Sequence, residues 1–117
     1  MSIQQYTLAA ITTILLSACA TTTNKIDTSR LTLVKENHAE ISVNNVSYVL
    51  DSYIKPFQRP YYIAVTSTNK VGIEKGTAIE VASQYIKPRG CTTPISLRPD
   101  LNQMNADKTS WIIGIEC

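Results

Sequence analysis

The sequence predicts an α+β fold: a small antiparallel sheet of about three strands, packed by one or two helices. Two segments rich in β-branched and aromatic residues, 61–68 and 110–117, are typical of strands. The segment 76–90 instead repeats its apolar residues with helical spacing. A sheet covered by helices on one face gives the α+β class.

With 117 residues, the chain is long enough for one domain at most. It carries 11 basic and 9 acidic residues, and every charge lies at or beyond Lys25. Nucleic acid is therefore not expected as the main partner, because phosphate binding needs a concentrated basic face. The three cysteines are an odd number, which is typical of one special cysteine and one pair.

The first 18 residues have the pattern of a secretory signal peptide. The apolar run "LAAITTILL" at 8–16 precedes the small residues Ser17 and Ala18. The preceding "MSIQQ" has no Lys or Arg, which departs from that pattern. Polar residues such as Gln4 and Thr12 interrupt the segment, so it is a poor membrane-spanning helix. We expect residues 1–18 to be removed.

The four residues Leu16-Ser17-Ala18-Cys19 resemble the lipobox of bacterial lipoprotein precursors. This resemblance implies that the Cys19 thiol receives a diacylglycerol, that cleavage occurs before it, and that the new amino terminus is acylated, for instance with palmitate. Cysteine alone supplies a thiol nucleophile. Several acyl chains hold a protein on a bilayer far more firmly than one. The resemblance is confined to the start of the chain and identifies no family for 31–117.

The residues after Cys19 predict a destination and a tether. In lipoproteins of two-membrane bacteria, Asp after the cysteine typically retains the protein in the inner membrane. Ala20 occupies that position here, so the resemblance implies the outer membrane. Residues 19–30 are polar and lack apolar periodicity, which predicts a flexible tether. The folded domain is then 31–117.

Two interpretations of 41–57 are open. Apolar residues alternate around Asn44-Asn45, as in a β-hairpin. Residues 46–54 also have helical spacing ending before Pro56, and "YIKP" recurs at 85–88, where a helix is expected to end. We slightly favour a helix at 46–55.

The helix predicted at 76–90 has a start and a stop signal. Thr77 and Glu80 have the spacing of a capping box, and Pro88 and Gly90 end the segment. Its apolar face consists of Ala78, Ile79, Ala82, Tyr85 and Ile86.

The segment 91–97 is predicted as a third strand, and Pro94 suggests an edge position. Antiparallel pairing with 110–117 places Cys91 opposite Cys117, within reach of a disulfide. Closing this loop is expected to stabilise the domain by roughly 3.5 kcal/mol. The bond also fits an oxidising compartment such as the periplasm. If the chain is not exported, the alternative is two reduced structural cysteines.

No catalytic residue, cofactor or metal site is predicted. His38 stands two residues from Glu36 and Glu40, but a solvated polar stretch explains this trio better than a metal site. A single histidine provides no convincing triad. The loop 100–107 begins like a calcium loop with Asp100, Asn102 and Asp107, yet lacks the glycine and glutamate that an EF-hand needs.

Two surface features carry weaker expectations. Residues 87–90 with Lys70, Lys75 and Arg98 could form a mild basic patch, although most such groupings are ordinary solvated surface. If the patch is functional, anionic lipid headgroups or an acidic protein face are its candidate partners. The aromatic residues Tyr61, Tyr62 and Trp111 are expected in the sheet or core rather than on a binding platform.

These observations predict a lipid-anchored protein of the bacterial envelope, held by its N-terminal lipid and acting as a non-enzymatic accessory or interaction module with an envelope protein partner. The alternative is a soluble periplasmic or secreted binding or inhibitor protein with an ordinary cleaved signal peptide. A small hydrolase or metal enzyme using His38 ranks last.

Overall fold

A computed structural model describes residues 25–117 of the chain. This part forms one antiparallel sheet of six strands with a helix packed on one face. The predicted α+β class is confirmed, with more strands than the three expected. The strands are β1 (Thr32–Val43), β2 (Val46–Ile54), β3 (Tyr61–Ser67), β4 (Ser96–Leu97), β5 (Gln103–Met104) and β6 (Ser110–Glu116). The helix is α1 (Lys75–Gly90), and a 3₁₀ turn spans Pro99–Leu101.

The strands lie in the order β1-β2-β3-β6-β4. The short strand β5 also pairs with β6, on the edge that β4 occupies. Consequently β2, β3 and β6 are paired on both sides, whereas β1 forms one edge of the sheet.

The core lies between α1 and one face of the sheet, called the inner face below. Alternate residues of each strand point to this face, as the period of two requires. Each buried Leu or Ile contributes about 1.5–3 kcal/mol to stability. The rows that cross the strands on this face are Leu50–Val65–Trp111, Ser52–Ile63–Ile113 and Tyr61–Ile115. The buried helix residues are Ala78, Val81, Ala82, Tyr85 and Ile86.

The slight preference for a helix at 46–55 is wrong, because this segment is strand β2. Asn44 and Asn45 both have positive φ, of 53° and 66°. Two such residues form the tight turn that joins antiparallel strands, and asparagine tolerates this conformation. β2 is then paired with β1 on one side and β3 on the other, so its backbone groups are satisfied within the sheet.

Strand β1 was not predicted as an element of the sheet. Most of its side chains are exposed or half-buried, so it lacks a clear apolar alternation. Its pairing with β2 shifts between Val34 and Ala39, and Asn37 is buried in this bulge. The strand therefore depends on backbone pairing with β2 more than on burial of its side chains.

Two details of the remaining predictions differ from the structure. Helix α1 begins at Lys75 with Glu74 as N-cap and no side-chain cap bond, so Thr77 and Glu80 lie inside the helix and form no capping box. The helix also continues through Pro88 and ends at Gly90. Of the predicted strand 91–97, only β4 pairs with β6, although its edge position agrees with the sequence.

Candidate functional site

The predicted lipidation site, Cys19, and the predicted signal peptide 1–18 lie outside the described residues. The first described residue, Lys25, belongs to the segment 19–30 that was expected to be a tether. Residues Lys25, Ile26 and Thr28 line a cleft of about 200 Å³, whose other walls include Tyr53 and Ile112 of the sheet. Residues 25–28 thus lie on the face of the sheet opposite α1, called the outer face below.

Cys91 and Cys117 form the disulfide expected from the sequence, with their Cα atoms 5.4 Å apart. Cys91 follows the last residue of α1, and Cys117 follows β6. The bond therefore joins the end of the helix to the end of a central strand.

The turn 55–60 between β2 and β3 lies at the same end of the domain as this bond. A Cβ atom at Gly90 would lie 2.6 Å from the hydroxyl oxygen of Tyr61, so the end of α1 touches the start of β3. Tyr61 in turn pairs with Ile115 of β6. We call the region formed by the turn 55–60, the last turn of α1 (87–90) and the Cys91–Cys117 bond the disulfide end.

Phe57 is the most exposed large apolar side chain of the disulfide end, with a relative exposure of 108%. Gln58 N–H donates to Lys55 O at 3.1 Å, which closes a β-turn with Pro56 and Phe57 at its central positions. Phe57 has a φ of 64°, a conformation that glycine adopts without strain and a bulky side chain does not. The fold thus holds an aromatic ring in water on a strained turn.

A shallow cleft of about 280 Å³ lies beside this turn, lined by Gln58, Arg59, Pro60, Tyr62, Arg98, Leu101 and Glu116. Arg98 donates two hydrogen bonds to Asp100, at 2.9 and 3.0 Å, and one to Glu116 at 3.0 Å. The hydrogen bonds from Arg98 hold the pKa of Asp100 below its usual value. The hydrogen bonds that Arg98 makes to Asp100, the largest cause, and to Glu116 raise the pKa of Arg98. This guanidinium is therefore occupied by partners within the chain.

The loop between β4 and β5 crosses the outer face of β6 at Gly114. Arg98 N–H donates to Gly114 O, and Gly114 N–H donates to Asn102 Oδ1, both at 2.9 Å. These two bonds join the loop to β6 at Gly114, which lies between the part of β6 that pairs with β4 and the part that pairs with β5. A Cβ atom on Gly114 would lie 2.7 Å from both Arg98 O and Leu101 Cβ. Only glycine fits here without a shift of the loop.

The substitution Gly114→Ala is expected to lower the free energy of unfolding by about 1–3 kcal/mol, since the added methyl group overpacks this contact. Urea denaturation followed by circular dichroism measures the change. The matched control is Gly76→Ala in the first turn of α1, where an added Cβ meets nothing within 4 Å. That substitution is expected to stabilise the domain by about 0.4–1 kcal/mol. Equal effects of the two substitutions would contradict the close approach at Gly114.

The single histidine pairs with an aspartate rather than gathering the neighbouring glutamates. His38 Nδ1 lies 2.7 Å from Asp51 Oδ1 of the adjacent strand β2, and the histidine is largely exposed. Within residues 25–117 no group of three His, Cys, Asp or Glu side chains is placed to hold a metal ion.

The residues that resembled a calcium loop make contacts within their own loops. Asp100 binds Arg98, and Asn102 binds the Gly114 backbone. Asp107 accepts hydrogen bonds from the N–H and hydroxyl of Thr109, at 3.1 and 2.6 Å. These side chains shape the connections that flank β5.

The basic patch expected from 87–90 with Lys70, Lys75 and Arg98 does not form as one surface. Lys70 lies in the loop before α1, Lys75 is the first residue of α1, and 87–90 is its last turn. The rise of the helix separates Lys75 from the start of that turn by about 18 Å. The basic residues at the disulfide end are instead Lys55, Arg59, Lys87, Arg89 and Arg98.

The aromatic residues lie in the sheet, as expected. Trp111 is buried in the core and donates from Nε1 to Ile73 O at 2.9 Å. Tyr62 is buried on the outer face, with the Lys55 ammonium 5.5 Å from its ring centre. Sequence reasoning did not single out Phe57; the turn-forming "KPFQRP" at 55–60 was the available signal.

Among residues 25–117, no helix has the length and apolar character needed to cross a membrane. The chain matches no protein family, no curated protein and no solved structure. Its function is therefore inferred from its own residues.

Proposed function

We propose that this chain is a lipoprotein of the bacterial envelope that is anchored by acyl chains on Cys19 and acts as a non-enzymatic accessory or interaction module. The observation that carries the proposal is the motif Leu16-Ser17-Ala18-Cys19 directly after an apolar run. Ala20 favours the outer membrane as its location, with the domain facing the periplasm or the cell surface.

Two properties of the domain support this proposal. The Cys91–Cys117 disulfide suits a protein that folds in an oxidising compartment, because cytosolic thiols are kept reduced. The Arg98 guanidinium is also bound within the domain, by Asp100 and Glu116. It is therefore not available to stabilise negative charge developing on a substrate.

The substitution Cys19→Ala is expected to abolish acylation and maturation, since alanine offers no thiol for the lipid. Metabolic labelling with palmitate and mass spectrometry of the mature amino terminus measure the two losses. The matched control is Ser17→Ala, which keeps a small residue before the cysteine and is expected to mature normally. A Cys19→Ala chain that matures and remains in the membrane fraction would refute the proposal.

A thiol count on the denatured, unreduced wild-type protein provides an independent test. With Cys19 acylated and Cys91 joined to Cys117, no free thiol is expected. One free thiol and an unmodified amino terminus would support the alternative, a soluble periplasmic or secreted binding or inhibitor protein with an ordinary cleaved signal.

A further inference from the structure

From the turn 55–60 we propose that the disulfide end is a membrane-contact surface: Phe57 inserts at the interface of an anionic phospholipid bilayer while neighbouring basic side chains bind the headgroups. This inference rests on the proposed lipid anchor, since the anchor is what brings the domain to a bilayer. Four observations support it.

The first observation is the exposure and strain of Phe57. Its side chain is fully exposed, so folding gains nothing from burying the ring. The positive φ of 64° costs further free energy for a bulky residue. A ring that contributes nothing to folding, yet is fixed at the tip of a turn, is explained by a contact outside the domain.

The second observation is the charge around that ring. Lys55 and Arg59 flank it in the turn, and Lys87 lies on the exposed last turn of α1 at the same end. Arg89 of that turn is held against Tyr85, to whose backbone oxygen it donates at 2.8 Å. Glu116 and Asp100, two carboxylates beside the disulfide end, are both bound by Arg98. Arg59 approaches Glu116 only at 3.8 Å. The remaining positive charge is complementary to anionic headgroups.

The third observation is the composition of the turn itself. Basic residues around an aromatic or aliphatic side chain are typical of surfaces that lie in the bilayer interface, where the ring enters the boundary and the charges stay among the headgroups. Lys55 also lies over the Tyr62 ring, so its stem is held at the base of the turn. An acidic protein surface would be complementary to the charges but would not account for a single ring projecting into solvent.

The fourth observation is the short length of chain between the anchor and the domain. Residues 19–24, even when fully extended, hold Lys25 within about 20 Å of the anchored cysteine. Thr32, the first residue of β1, pairs with Ile54, which directly precedes the turn. Lys25 itself lines the outer-face cleft with Tyr53 and Ser110. The anchor therefore holds the outer face of the domain close to the bilayer, and the turn 55–60 lies at one end of this face.

The test uses the acylated full-length chain with Phe57→Trp, reconstituted in vesicles of phosphatidylglycerol and phosphatidylcholine whose acyl chains are brominated. Bromine quenches only a tryptophan that reaches the bilayer, so the emission of Trp introduced at 57 is expected to fall. The buried Trp111 contributes a constant background, measured with the parent chain. The matched control is Val71→Trp, since Val71 is also an exposed apolar loop residue but lies at the opposite end of the domain, before α1.

Two further variants test the contributions of charge and ring. Replacing Lys55 and Arg59 by glutamine is expected to reduce the ratio of contacting to free domains by about fivefold for each charge removed, and pure phosphatidylcholine vesicles are expected to weaken quenching likewise. Phe57→Gly is expected to abolish the contact, read by a spin label on residue 58, without lowering the melting temperature, because glycine relieves the strained φ.

Quenching at 57 but not at 71 supports the inference. Absence of quenching at 57, or equal quenching at both positions, overturns it. Protection of position 57 in native envelope membranes but not in pure lipid also overturns it, in favour of a protein partner. Mass spectrometry of the same preparation reports acylation of Cys19 separately. An unacylated chain that still inserts position 57 into added anionic vesicles would leave this inference standing and remove the proposed anchor.

Discussion

Replacing both Cys91 and Cys117 by serine is expected to lower the free energy of unfolding by about 3.5 kcal/mol. The bond closes a loop with a sequence separation of 26 residues that begins directly after the helix and includes β4, β5, the loop over Gly114 and all of β6. Without it the unfolded chain gains entropy, and the last turn of α1 is no longer fixed to the sheet. Because small domains have a total stability of about 5–15 kcal/mol, this is a large fraction.

Urea denaturation of the wild-type protein, with and without a reducing agent, and of the double variant measures this effect. Reduction should move the wild-type midpoint to that of the double variant and leave the double variant unchanged, which is the control for effects of the reductant itself. An identical midpoint for the oxidised and reduced wild type would contradict a stabilising role of the bond.

Truncating Tyr85 is expected to have an effect of similar size. Its ring is fully buried between α1 and the sheet, and Tyr85→Ala is expected to cost about 3–5 kcal/mol. Its hydroxyl donates to the backbone oxygen of Asn37 and accepts from Ser52 Oγ at 2.7 Å. Asn37 Nδ2 donates to the same Ser52 oxygen at 3.4 Å, which closes a buried ring of hydrogen bonds. The tyrosine thus fixes the bulge of edge strand β1 to the helix.

Tyr85→Phe isolates the hydroxyl from the ring. It is expected to cost about 1–3 kcal/mol, because the buried Asn37 carbonyl and Ser52 hydroxyl lose their partner. The matched control is Tyr53→Phe, at a half-buried tyrosine on the outer face. This substitution is expected to change the free energy of unfolding by no more than about 0.5 kcal/mol. Equal effects of the two substitutions would show that the buried hydrogen bonds contribute nothing.

The difference in stability between the wild type and Tyr85→Phe is expected to depend on pH. Burial, the largest cause, raises the pKa of Tyr85 above 10.0, and the Ser52 hydrogen bond opposes this in part. Because the folded state favours the neutral phenol, its contribution is fully present below pH 10. It is lost as the pH rises above 10 towards the pKa in the folded state. The stability difference between wild type and Tyr85→Phe is therefore expected to shrink above pH 10, as measured by urea denaturation at both pH ranges.

The elements with one strong local signal were predicted from the sequence. The period of α1 and the β-branched, aromatic character of β3 and β6 each allow a single interpretation. The Cys91–Cys117 pairing followed because antiparallel pairing brings the start of one segment to the end of the other. The disulfide is present in the structure, but the predicted register is wrong. Strand β4 pairs Ser96 with Glu116, so Cys91 reaches Cys117 from the end of α1 and not as its cross-strand partner.

The elements that depend on neighbours were not predicted. Residues 46–54 have both strand and helical spacing, and the choice is made by hydrogen bonding to β1 and β3 on either side. β1 is mostly polar and becomes a strand because β2 offers it an edge to pair with. The surface at Phe57 likewise depends on which groups three different elements bring to one end of the domain.

By itself, the sequence determined the class of the fold, its helix, the strands β3 and β6 and the motif that predicts an anchor at Cys19, because each is encoded in residues that are close in the chain or in a simple period. The disulfide followed from the odd number of cysteines, which leaves Cys91 and Cys117 as a pair once Cys19 is set apart. Only the tertiary structure decided the conformation of β1 and β2, the close contact at Gly114, the buried bonds of Tyr85 and the exposure of Phe57. These depend on hydrogen bonds and packing between residues far apart in the chain, whose free energies exceed the weak local preferences of the segments involved.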